Sequence, residues 1–160
     1  CDTAICDFVA KLESIGHTEV NSPEESDYFL VFCPVASRVG TDVSEALEKL
    51  PGGKPAIMVV MHHTFNPKQV VANSRRLVDN PNVFLTVDCL FHYGKLLTCN
   101  RNDTAWFDLQ KYLGVSDSQV RTRFTVLVQL RNPCGVTHCL RWLFLACGVR
   151  MVRARVRTSV

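Results

Sequence analysis

Three apolar runs, Tyr28–Cys33 (YFLVFC), Ala56–Met61 (AIMVVM) and Val83–Val87 (VFLTV), constrain this chain more than any other feature. A strand with one wet face alternates apolar and polar residues. Runs almost without polar positions belong to strands covered on both faces, as in a parallel sheet held between layers of helix. The intervening segments supply helices. Ile5, Phe8, Val9 and Leu12 recur at helical spacing within Thr3–Ile15, and Gly16 follows as a stop. Further helices are expected at Asp42–Leu50, closed by Pro51-Gly52-Gly53, at Pro67–Leu77, closed by Asp79-Asn80-Pro81, and at Asp103–Leu113, closed by Gly114. A short strand at His17–Val20 and a helical turn at Ser22–Ser26 (SPEES) complete the series.

Alternating buried strands and helices predict an α/β fold: a three-layer, open, mostly parallel sheet, flavodoxin-like or Rossmann-like in outline. In the flavodoxin-like order the first strand is the middle of the sheet and precedes the first helix. Here the helix comes first. The pattern therefore predicts a sheet lacking its central strand, through truncation upstream or with another segment in the slot.

Charge divides the chain. Residues 1–114 hold 10 Lys+Arg against 14 Asp+Glu, whereas residues 115–160 hold 8 arginines against the single Asp117. We expect an acidic α/β domain over 1–114 and a basic, Arg-rich extension over 115–160, irregular or with one added strand. Phe124–Leu130 is the segment that could take a sheet edge or the vacant slot, while Trp142–Leu143–Phe144 would be an aggregation liability if exposed. Val115-Ser116 can be encoded by a splice-donor sequence, so translation through a retained intron is one origin for this extension. The longest apolar run, Trp142–Val149, is too short to span a bilayer. The eight cysteines show no metal-binding spacing, and the opening CDTAICDF lacks the basic start of a signal peptide. Reduced thiols in a cytoplasmic protein without membrane association are the expectation.

SPEESD (Ser22–Asp27), VFCPVASRVGTD (Val31–Asp42), VVMHHTF (Val59–Phe65) and LTVDCLFH (Leu85–His92) resemble segments of a family of short, uncharacterised fish proteins. The resemblance covers most of residues 1–114. It implies a flavodoxin-like domain that begins with a strand, and it implies no activity.

Ligands of open α/β sheets sit beyond the carboxyl ends of the strands, here the loops Pro34–Thr41, His62–Asn66 and Asp88–Gly94. In the first, Ser37, Arg38, Gly40 and Thr41 precede a helix and could hold a phosphate. The simpler alternative is a D-x-x-E capping box of Asp42 and Glu45, with Gly40 allowing a turn. A deoxyribosyltransferase-like G-T-x-x-E pattern would place its glutamate at Ser44, one position before Glu45. Candidate catalytic groups are Glu45, His62 and Cys89, the last with a histidine base and Asp88 as orienter. Candidate metal ligands are Cys33, His63, Cys89 and His92. The plainer expectation is that Cys33 and Cys89 are buried hydrophobes. Asn102 or Asp103 would cap the last helix, a simpler role than the glycosylation sequon Asn102-Asp103-Thr104, and Trp106, Phe107 and Leu109 would be core.

No motif implies a cofactor. The expected function is that of a non-catalytic binding or signalling module for a protein partner or a nucleotide-like ligand. The rival is a nucleotide- or nucleoside-handling enzyme or sensor of the deoxyribosyltransferase or TIR type. A third possibility, nucleic-acid binding through the basic extension, is weaker because its arginines are scattered among apolar residues.

Overall fold

The computed structural model describes residues 3–114 and 122–128. In chain order the elements are α1 (Thr3–Ser14), β1 (Thr18–Glu19), a 3₁₀ turn (Pro23–Glu25), β2 (Tyr28–Pro34), α2 (Val39–Glu48), β3 (Ala56–His63), a second 3₁₀ turn (Ser74–Leu77), β4 (Val83–His92), β5 (Lys95–Leu96), α3 (Asn100–Leu113) and β6 (Arg123–Val128). Among the described residues six strands form one sheet in the order β1-β6-β2-β3-β4-β5, parallel except for the β4–β5 hairpin. The fold is α/β with an open, parallel-rich sheet, as the apolar runs predict.

Side-chain alternation along the strands builds two cores. Leu30, Phe32, Ile57, Val59, Leu85, Val87 and Cys89 join Phe8 and Leu12 of α1 and Leu109 of α3 on one face. Phe29, Val31, Cys33, Met58 and Val60 meet Val43 and Ala46 of α2 on the other. Both faces of β2 and β3 are therefore dry, which is why their sequences carry no alternation.

The slot between β1 and β2 is filled by β6. Its residues pair in parallel with both neighbours, Phe29 opposite Thr125 and Glu19 opposite Phe124. Phe124, Thr125 and Leu127 are buried, and the Phe124 ring stacks on Tyr28 at 5.6 Å. The composition break at Gly114 thus does not separate residues 123–128 from the sheet. The rest of the extension, including Trp142–Val149 and most of its arginines, lies outside the described residues.

Four local expectations need correction. Pro67–Leu77 forms no α-helix: only Ser74–Leu77 turns, as a 3₁₀ segment started by Asn73, whose side chain accepts from the Arg75 amide. Val70 is almost fully exposed, so no apolar stripe faces a core, and Ser74 and Val71 are tied to β4 and α3 instead. Asp88–Gly94 is not a loop, since β4 continues to His92 and turns through Tyr93 and Gly94 into β5. The last helix starts at Asn100 with Cys99 at its N-cap. Asn102 instead clamps the hairpin, receiving from the Leu90 amide and donating to the Leu90 and Leu97 carbonyls at 2.7–2.8 Å. Phe107, expected in the core, is exposed on α3, while Leu109 is buried and Trp106 packs against the core edge. Among the described residues no helix is long and apolar enough to cross a membrane.

Candidate functional site

At the carboxyl end of the sheet, on the α2 face, three polar side chains meet in an otherwise apolar layer. Asp88 of β4 is buried, and its carboxylate accepts from Ser74 N at 3.0 Å, from Ser74 Oγ at 2.5 Å and from His62 Nε2 at 2.9 Å. The register explains the meeting: Val60 lies opposite Asp88 and His62 opposite Leu90, so His62 sits one same-face step along the neighbouring strand. Burial alone would raise the Asp88 pKa. Hydrogen bonds from His62 and Ser74 outweigh it and hold the carboxyl below its ordinary value.

Hydroxyl, carboxylate and imidazole are all present here, but not in the order that makes a nucleophile. Ser74 Oγ gives its proton to Asp88, so His62 has no serine to activate. His62 Nε2 is committed to the Asp88 carboxylate, which leaves Nδ1 outside that contact. The ring lines an open depression with Val35, His63, Thr64, Gln69 and Val71.

The Pro34–Thr41 loop has its own internal anion. Helix α2 begins at Val39, and the capping box is not formed. Asp42, in the fourth helical position and buried, reaches back to accept from Ala36 N and Ser37 N, both at 2.9 Å, and from Ser37 Oγ at 3.1 Å. A phosphate at this loop would have to displace that carboxylate. Arg38 and Thr41 are exposed, and Gly40 lies inside the helix with open space around it, so no turn requires it.

The candidate thiols are separated by the sheet. Cys33 lies on the α2 face and Cys89 on the α1/α3 face. Burial pushes the Cys33 thiol up to about 12, aided by the carboxylates of Asp42 and Glu45, and pushes Cys89 likewise up to about 12, aided by Asp88 and Cys99. Asp88 and Cys89 are consecutive strand residues on opposite faces, so the proposed Cys89–His–Asp88 array is not assembled. Cys33, His63, Cys89 and His92 are not gathered either; no three His, Cys, Asp or Glu side chains among the described residues form a metal-binding group.

His63 and His92 do come together, in an aromatic cluster at the sheet edge. Their rings are 5.1 Å apart, His63 meets Phe91 at 5.4 Å, and His92 touches Tyr93 at 4.2 Å and Phe65 at 6.4 Å. Phe65 is 80% and Tyr93 88% exposed. Sequence reasoning did not single out Ser74, Phe65 or Tyr93. Ser74 was hidden in a segment read as helix, whereas Tyr93-Gly94 could have been read as a two-residue hairpin turn.

Comparison with protein families, with curated proteins and with solved structures yields no match to this chain.

Proposed function

We propose that this domain is a non-catalytic binding or signalling module of the cytoplasm, belonging to the family of short fish proteins whose segments it resembles. The observation that carries this is the internal satisfaction of Asp88, whose oxygens are taken by Ser74 and His62. The same holds for Asp42 with Ser37, and the two strand thiols are held protonated by burial. These groups stabilise the ends of strands and loops, and none of them is an activated nucleophile. Cys6, Cys33, Cys89 and Cys99 are all thiols, which suits a reducing compartment.

The experiment is to incubate the full chain with nucleosides, nucleotides and NAD and to follow release of the free base. No release is expected. Turnover that disappears in Glu45→Gln or His62→Ala would overturn the proposal in favour of the hydrolase or transferase alternative.

A further inference from the structure

Charge on the described domain is segregated. Residues 61–78 and 89–102 carry Lys68, Arg75, Arg76, Lys95 and Arg101 and no acid, although residues 1–114 as a whole hold 14 Asp+Glu against 10 Lys+Arg. Lys68, Lys95 and Arg101 belong to the parts of these stretches at the end of the sheet where β3 and β4 terminate, and Arg101 donates to the Val71 carbonyl at 2.9 Å to join the two. Lys95 pairs across the hairpin with His92. Lys68 and Arg101 line a depression that shares Gln69 with the one beneath His62 and His63. None of the side chains lining either depression is acidic, and Asp88 below them is buried and hydrogen-bonded.

Between these cations stand the exposed rings of Phe65 and Tyr93 and the paired imidazoles of His63 and His92. Tyr93 adds an independent sign. At φ 47° it is the only non-glycine residue with positive φ among the described residues, in a turn whose first position favours Asn, Asp or Gly. A bulky ring held in a disfavoured backbone conformation and pointing into solvent contributes nothing to the core, and such costs concentrate at functional positions.

We infer that this shelf, with Phe65, Tyr93 and His92 as stacking faces and Lys68 and Lys95 as phosphate contacts, binds single-stranded nucleic acid. The inference rests on the reading of the domain as a binding module and uses residues distinct from the basic extension. Flat rings flanked by cations suit unstacked bases joined by phosphates. The openness of the shelf selects the polymer: a free nucleotide needs a site that covers most of its surface, whereas a strand adds contacts along an uncovered surface.

The test is fluorescence anisotropy of the full chain with a fluorescein-labelled thymidine 20-mer at several salt concentrations. Arginines of residues 115–160 are unchanged in every variant, so differences between variants report the shelf. Phe65→Leu, which keeps apolar bulk but removes the ring, and Tyr93→Asn, which suits the turn, are each expected to weaken binding about fivefold or more. Lys68→Ala and Lys95→Ala should each reduce the logarithmic salt slope by about 0.7. Unchanged affinity in the Phe65→Leu/Tyr93→Asn double variant would overturn the inference. So would equal affinity for a blunt duplex, or displacement by thymidine monophosphate at concentrations matching the 20-mer. Loss of this surface without nucleotide turnover leaves the module reading standing; turnover would remove that reading instead.

Discussion

His62 and Asp88, 26 residues apart, are joined by a 2.9 Å hydrogen bond between Nε2 and Oδ1 in a buried setting, and Ser74 donates to both oxygens of the same carboxylate, its hydroxyl to Oδ1 and its amide to Oδ2. The link ties β3 to β4 at their carboxyl ends and fastens the irregular segment that connects them. Among the described residues that β3–β4 connection forms no α-helix of its own, only the 3₁₀ turn Ser74–Leu77, and Asp88 fastens it by hydrogen bonds where α2 is held by apolar packing.

Asp88→Asn should lower the unfolding free energy by roughly 2–3 kcal/mol, because a buried acceptor for three donors loses its charge and one acceptor oxygen. Ser74→Ala should cost about 1–2 kcal/mol and increase amide exchange across residues 64–77 more than in α1. Urea titration and hydrogen exchange check both. Equal protection of 64–77 in Ser74→Ala would show that Asp88 does not fasten this segment.

Stability should fall on mild acidification through His17. This imidazole is buried, with Nδ1 3.2 Å from the Tyr28 hydroxyl, and burial outweighs an opposing hydrogen-bonding contribution from the Gly114 backbone to lower its pKa below 6.5. A lowered folded pKa means the unfolded chain takes up the proton first. The contribution is whole above the unfolded value of about 6.5 and is lost as pH falls through the lower folded value. Asp88, also lowered, adds a second loss that begins only below the unfolded carboxylate value of about 3.9. Thermal melts from pH 7.5 to 5 should show a declining midpoint, flattened in His17→Gln; parallel curves would refute the assignment.

Thiol reactivity should divide by burial. Cys33 and Cys89, both raised to about 12, should resist maleimide in the folded protein, while exposed Cys6 labels readily. Peptide mapping by mass spectrometry reads the order, and unfolding in urea should bring Cys33 and Cys89 to the rate of Cys6. Early labelling of Cys89 would show that β4 is less closed than its packing implies.

Tyr93→Asn should stabilise the fold by about 0.5–1 kcal/mol, since Asn tolerates the positive φ of the hairpin turn better than a tyrosine. The same substitution removes a stacking face. A raised melting temperature together with weakened strand binding would show a residue retained for contact at the expense of stability. A lowered melting temperature would mean that the ring supports the hairpin.

Much of the fold is local information. The apolar runs at Tyr28, Ala56 and Val83 report strands dry on both faces, and α1, α2 and α3 follow from apolar spacing and stop residues, with ends shifted by up to three residues. Pro67–Leu77 failed because helix-compatible residues form no helix without a core for one face to cover. The capping box failed at Asp42 because its carboxylate reaches backwards to Ser37, a contact that depends on the path of the loop after β2.

Binary patterning by itself therefore determined the α/β class, the buried strands and the end of the sheet where His62, Asp88 and His92 gather, because period and propensity are properties of short segments. Which strand fills the slot beside β2, that Asp88 faces His62 and Ser74 while Cys89 faces away, and that Phe65 and Tyr93 flank two histidines between cations were decided only by tertiary structure. Each depends on pairing register and on which face a side chain takes, and these are set between segments far apart in the chain.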